Sequence, residues 1–565
     1  MAEEKKIFTN DKELIDFYCS KPHPKTFDLA ILLLILVTSV VGAIIGMELI
    51  VRFGLSTNSS IIGALVAVLI GMIPLKATQK FRNIHVQNLV ETSISCATFG
   101  AGNVLMVCVA VIWVFNRPDL CMGILVGGVI AFLVDITMMY WLFDTPLFSA
   151  SEAWPIGIAT AETILAAGEK GKKALIMTGG IFTGILGTWF GLPMDILGVC
   201  GLGNIFALTA FCIALVCNGY WAKWFGYALG DFYVPQGFMV GAGLIGLVQA
   251  TLLIIRKYKE KQTNDKETKT AEVTAVVAEV PETKEDNYIC TRSVNDMSRS
   301  LVTGVVLYII GAIIMAMIGG IYSEMSVGLL IWWIIYAMIA AIISEILVGI
   351  SAMHSGYFPA MATVVIFLVL AMFMGFPAHA LAYLAGYAAC TGPAFADMGY
   401  DLKTGWILRG KLRSGVKYEL EGRRQQYLAE IMGGIVAIIC VFLFYKVYFT
   451  AGRIPPVASV YKATIDAGVD ARVLKLLLIW ACCGGLLQLV SGLKRQLGIL
   501  FAAGLLIKLP IAGVAGLIFL AIRWGIQKKY GTEGTQVLNV FSAGLIAGSA
   551  LFSFSKNTFK LIVPK

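Results

Sequence analysis

The sequence predicts an all-α, polytopic integral membrane protein made of two related halves. Three observations predict it: a composition too apolar for water, repeated runs of membrane-crossing length, and segments of the first half that reappear in the second. Across 565 residues, 58% are hydrophobic and only 14% charged, with a mean hydropathy of +0.81. Soluble globular proteins carry about 25% charged residues, and a water-soluble fold of this length could not cover its surface with so few. Lipid must therefore be the solvent. The formal net charge of +9 fits loops that fix membrane orientation, and not a nucleic-acid partner. Of the 12 cysteines, Cys96, Cys108, Cys212, Cys217 and Cys440 lie in apolar runs, where a thiol acts as a small hydrophobe. No CxxC pair or His/Cys cluster occurs, so neither a disulfide framework, a metal site nor a cofactor is expected.

The polar stretch 1–27 precedes a run too long for a signal-peptide core, so it is expected to remain as a cytoplasmic segment. A first transmembrane repeat, 28–255, contains the apolar runs Asp28–Val51, Ser60–Leu75, Gln87–Phe115, Leu120–Phe143, Ala174–Leu192, Ile196–Trp221 and Gly237–Ile255. A second repeat, 300–557, contains Leu301–Tyr322, Val327–Glu345, Leu347–Phe373, Ala378–Phe395, Tyr427–Phe449, Val473–Val490, Leu497–Ile522 and Val537–Phe554. Most approach the ~20 residues a helix needs to cross the hydrocarbon core and are too long for barrel strands. Between the repeats, 256–299 is polar, of mixed charge and without a periodic apolar face, as a cytoplasmic linker would be. A short tail, 558–565, closes the chain.

The halves echo each other in order. Leu89–Ser95 resembles Leu347–Met353, Lys172–Leu186 resembles Gln425–Ile439, and Ala242–Val248 resembles Ala543–Ser549. Ordered matches favour an ancient duplication, the usual plan of secondary transporters. Two segments do not read as simple spans: Ser151–Gly168, with Pro and small residues, and Ala396–Gly410, with ionisable groups. Interrupted segments at corresponding places in two halves point to a transport site formed by re-entrant or broken helices. The basic residues that follow each of them point to cytoplasmic exits, whereas strict alternation of spans disagrees for at least one, a conflict that re-entrant hairpins would remove.

An ionisable side chain at the bilayer centre costs about 2.5–3.5 kcal/mol on insertion scales, so each one needs a reason. Glu91, Asp135, Glu152, Glu162, Glu345, His354, Asp397, Asp401, Lys403 and Glu430 lie in or beside apolar runs. The plain alternative for each is a helix-end residue reaching water or a packing partner, and Glu430, near a basic loop, suits that alternative best. Asp135 sits too deep in its run for it. Asp397 and Asp401, four residues apart in DMGYDLKTG, share one face of a helix. Two such carboxylates repel in a low dielectric, which makes them candidate acceptors for a coupling proton. Lys403 could neutralise one of them or meet a substrate carboxylate, and Gly399 and Gly405 would allow an unwound, ligand-coordinating turn. Gly241–Gly246 matches GxGxxG inside a span and reads as helix packing, while no P-loop, GxSxG or HExxH pattern occurs, so an ATPase or hydrolase is not expected.

These motifs together resemble the oligopeptide transporter (OPT/YSL) family, in its prokaryotic form. ADMGYDLKTGWILRG carries the family's Asp-Leu-Lys-Thr-Gly signature, PIGIATAETI its Pro-x-Gly-x-Ala-x-Ala-Glu stretch, QNLVETSIS its Asn-x-x-Gln-Thr helix, and SAGLIAGSALF its closing Gly-rich span. The resemblance implies about sixteen membrane helices and proton-coupled uptake of small peptides or peptide-like metal chelates by alternating access. It further implies a multi-pass protein of the bacterial inner or plasma membrane, with no enzyme activity and a homo-oligomer as one expectation. Substrate binding is expected from Glu91, Glu162, Tyr400, Lys403, Thr404 and His354, and proton coupling from Asp397, Asp401 and Glu162. Glu91 stands where the family carries Gln, and Ile156 where bacterial members often carry Glu, a relocation that would alter stoichiometry or substrate choice. The alternative is a sodium-coupled carrier of amino acids or other small zwitterions, since sodium sites use backbone carbonyls that leave no mark in sequence.

Overall fold

The computed structural model describes residues 11–562 apart from 55–62, 64–65, 68–79, 153, 167–171, 250–251, 253–289, 356–358 and 469. The expected run Ser60–Leu75 and most of the linker fall outside these residues. In the first half the helices are α1 (Asp11–Cys19), α2 (Leu29–Phe53), α3 (Ile84–Trp113), α4 (Cys121–Leu142), α5 (Pro155–Ala166), α6 (Lys172–Trp189), α7 (Met194–Leu202), α8 (Ile205–Phe225) and α9 (Val234–Gln249). The second half adds α10 (Val294–Ile318), α11 (Val327–Ser355), α12 (Ala360–Met372), α13 (Ala378–Cys390), α14 (Pro393–Leu408) and α15 (Val416–Thr450). It ends with α16 (Val457–Ala467), α17 (Ala471–Arg495), α18 (Leu497–Leu505) and α19 (Pro510–Ile562). Among the described residues, nine helices are long and apolar enough to cross a membrane, so the all-helical, multi-pass expectation holds.

Local chemistry sets the boundaries. Asp28 and Asn204 each accept a hydrogen bond from the backbone two residues on, starting α2 and α8. Ser293 and Asp296 form a capping box, so α10 begins at Val294, inside the stretch expected to be linker. Several expected boundaries move. Glu345 does not end a span, because α11 runs unbroken through it. The run Ile196–Trp221 divides at Gly203 and Asn204, where the Asn cap starts a new helix. The unwound turn expected at Gly399 and Gly405 is replaced by continuous helix, and the break lies instead at Thr391–Gly392, where Gly392 has φ +104°. The two glycines serve packing: a Cβ on Gly399 would lie 2.3 Å from the Trp154 ring, and one on Gly405 2.1 Å from Gln426 Oε1.

The two sequence halves interleave. One apolar core joins α2, α3 and α4 to α10–α16, and a second joins α6–α9 to α18 and α19. Helix α2 serves both, turning Ala43 and Met47 to the first and Ile45 and Leu49 to the second. Outward-facing Phe182, Trp189, Leu478 and Val490 leave a broad apolar exterior that lipid must solvate. The N-terminal segment, the 409–415 turn and the end of the linker gather at one end of the molecule. There Arg413 meets Asp16 at 3.7 Å, Thr26 N–H donates to Gln425 Oε1 at 2.8 Å, and Thr291 Oγ1 donates to Asp144 Oδ2 at 2.6 Å.

Candidate functional site

Helix α14 begins with Pro393 at its first position, which fixes φ without forfeiting a helical hydrogen bond. Its free N–H groups are met from another helix: Asp135 Oδ2 accepts from Gly392 N–H at 2.7 Å and from Phe395 N–H at 3.1 Å, while Tyr308 donates to Oδ1 at 2.9 Å. Asp135, the carboxylate too deep in its run to be a helix end, is therefore the cap of α14. Glu345 faces the same Asp135 and Tyr308 pair and is 1% exposed.

The second short element, α5, also opens with a proline, Pro155, and packs along α14. Trp154 N–H donates to Met353 O at 2.8 Å, holding the entry to α5 against the end of α11. Lys403 Nζ donates to the carbonyls of Ala150 (2.7 Å) and Glu152 (2.8 Å), and Thr404 Oγ1 to that of Gly157 (3.0 Å). Gly157 permits this approach, since a Cβ there would lie 2.5 Å from Tyr400 O. The Leu-Lys-Thr-Gly signature thus latches α14 to α5 and the turn before it. Beside the latch, His354 Nδ1 lies 3.6 Å from Glu152 Oε2.

Asp397 and Asp401 project from one face of α14, as their spacing predicts, and meet Glu430 from α15 and Glu91 from α3. All four carboxylates are fully buried. One oxygen each of Asp397, Asp401 and Glu430 lie within 4.8 Å of one another, and Glu91 faces the group, Asp401 foremost. Ser95 donates to Asp397 Oδ1 at 2.7 Å. Gln426 donates through Nε2 to Asp401 O (2.6 Å) and accepts from Arg409 Nη1 through Oε1 (2.7 Å). Among the described residues no nitrogen or hydroxyl donor reaches either oxygen of Glu91 or Glu430; their polar neighbours are the other carboxylates, with Asp401 close enough to each to share a proton, and, for Glu430, the Cys96 thiol. Two like charges about 4 Å apart repel by about 4 kcal/mol at an effective dielectric of 20. Such a cluster requires positive charge, as protons or cations.

Toward the end where the N-terminal segment gathers, a dry ion network adjoins the cluster. Glu419 takes Arg409 (Nε 2.8 Å, Nη2 2.9 Å) and Arg423 (Nε 2.8 Å), and Arg423 Nη2 continues to Asp144 at 2.9 Å, every side chain at most 1% exposed. Beyond it, burial lowers the pKa of His23 from 6.5 to about 4, with Arg409 acting in the same direction.

Of the sequence candidates, Glu91, Asp397 and Asp401 come together, while Tyr400, Lys403 and Thr404 lie on the same helix and His354 borders the latch. Glu162, on α5, has an exposed side chain. Glu430 is the residue that sequence reasoning undervalued. Reaching water from a helix end is excluded for it, because α15 starts at Val416 and Glu430 lies about four turns inside. No sequence signal marked it: that the basic stretch before it is helical appears only in the structure.

The family model of the OPT oligopeptide transporter protein matches residues 222–556, more than half of the chain. The span covers α14 and α15 and leaves the first-half motifs outside it. No curated protein matches the chain.

Proposed function

The chain belongs to the OPT oligopeptide transporter family, and from that premise we propose that it takes up small oligopeptides or peptide-like metal chelates as a proton-coupled symporter working by alternating access. One observation carries the reading: two short, proline-started helices, α5 and α14, pack on each other beside a buried carboxylate cluster. In this reading Glu91, Glu162, Tyr400, Lys403, Thr404 and His354 receive the substrate. Asp397 and Asp401, with Glu162, take the coupling protons. Broken helices at a midplane site bring backbone groups and helix ends to a zwitterionic cargo. The gathered N-terminal segment, linker end and 409–415 turn belong on the cytoplasmic side of a bacterial plasma membrane by the positive-inside rule. About sixteen spans in two repeats, and assembly as a homo-oligomer, complete the proposal. Each proton entering down the membrane potential supplies about 2.3 kcal/mol per 100 mV.

The test is uptake of di- to tetrapeptides and metal chelates by proteoliposomes under an imposed pH gradient. Wild type should accumulate at least one of these cargos, and Asp401→Asn should lose gradient-driven accumulation while remaining folded. Undiminished accumulation by that variant would remove Asp401 from coupling. Accumulation that follows external sodium and ignores pH would replace the coupling ion.

A further inference from the structure

We propose that Asp397, Asp401 and Glu430, with Glu91 behind them, form a binding site for a hard divalent cation of the Ca2+, Mg2+ or Mn2+ class inside the membrane core. The first ground is geometric. The three ligand oxygens lie within 4.8 Å of one another, and a shell with metal–oxygen distances of about 2.4 Å is about 4.8 Å across. Oxygens with that spread surround one ion, and small side-chain shifts would bring all three onto Ca2+, with larger ones needed for the smaller Mg2+. The donor set is carboxylate oxygen alone, which selects hard cations over zinc or copper.

The second ground is Glu91. It is fully buried, comes from a different helix, meets no donor at either oxygen among the described residues, and faces Asp401, with which it is close enough to share a proton, then Asp397 and Glu430. A carboxylate held dry against three others needs positive charge beside it, which a bound cation supplies as well as protons do. The Ser95 hydroxyl on Asp397 Oδ1 supplies the kind of hydrogen bond that orients a ligating carboxylate. The helices are also held close. A Cβ on Gly433 of α15 would lie 2.2 Å from Ser93 O of α3, so the helices carrying Glu430 and Glu91 are in backbone contact one turn from the cluster.

A divalent ion offsets two of the four negative charges and leaves the remainder to protons. Metal and protons therefore compete for one site. In a transport cycle, a step that rests on the proposed function, an ion bound here would hold the carboxylates against protonation until substrate arrives.

The experiment uses the full chain purified in detergent and stripped with a chelator. CaCl2, MgCl2 and MnCl2 are titrated separately at mildly alkaline and mildly acidic pH, with thermal midpoint and bound metal by mass spectrometry as readouts. Saturable binding of at least one metal is expected at alkaline pH, weakened on acidification. Glu430→Gln and Glu91→Gln, either of which suffices if the other misfolds, should each weaken it about tenfold or more. No saturable binding of any of the three metals to wild type, or wild-type affinity in the folded variant, would overturn the site. Gradient-driven uptake that persists in chelator-treated proteoliposomes lacking any metal affinity would sink the cation site and leave the transport reading intact. Metal binding without uptake of any cargo would do the reverse.

Discussion

Asp135 receives the backbone N–H of Gly392 at 2.7 Å, joining residues 257 positions apart in the chain. A helix in a dry environment must satisfy its first N–H groups, and here a side chain from α4 does so for α14. The carboxylate cluster is placed by this contact, since Asp397 and Asp401 lie one and two turns beyond it. Asp135→Ala would leave the N–H groups of Gly392 and Phe395 without their acceptor, at about 1–3 kcal/mol each. We expect a lower thermal midpoint and loss of transport, with Tyr308→Phe milder because it removes one donor and no acceptor.

Gly433→Ala should push α15 from α3. Overpacking of this kind costs about 1–3 kcal/mol. Gly179→Ala is the matched control, because nothing lies within 4 Å of a Cβ there. A detergent melting series should separate the two; equal midpoints would mean that α15 can shift without cost.

Glu419→Gln leaves Arg409 and Arg423 facing each other with one shared anion removed. Breaking a buried ion pair by deleting one partner costs about 3–5 kcal/mol. The variant should express poorly and melt well below wild type, and an additional Arg409→Met change should recover part of the loss. A double-mutant cycle on the purified proteins measures the coupling.

The docked N-terminal segment should loosen in acid. His23 has a pKa of about 4 when docked against 6.5 when free. As pH falls below 6.5 the undocked state takes up a proton that the docked state refuses, so docking weakens progressively until about 4. Protease cleavage within residues 11–27 should quicken over that window in wild type and less steeply in His23→Phe, where His85, packed on residue 23, remains. Equal slopes in the two proteins would assign the effect to other groups.

Much was legible from sequence because it is local. Hydropathy over about 20 residues decides whether a segment can cross lipid, and it located most of the spans. A four-residue spacing decides that Asp397 and Asp401 share a helix face, and they do. Proline and glycine marked both irregular elements, although the break in the second falls at Gly392 and not within DMGYDLKTG.

What the chain could not state in one dimension is which faces meet. Glu91 and Glu430 read as unrelated acids in separate spans, and Asp135 as a buried charge without a purpose. For Lys403, a candidate counter-charge or substrate contact, only the structure shows that its ammonium reaches the carbonyls of Ala150 and Glu152. The physical reason is that side-chain neighbours across helices depend on the rotation and separation of each helix, set by close contacts such as Gly433 against Ser93. Hydrophobicity constrains neither, because lipid accepts any apolar face equally. Sequence thus determined that this is a membrane bundle with two irregular segments, and only tertiary packing decided that four carboxylates would share one dry volume beside them.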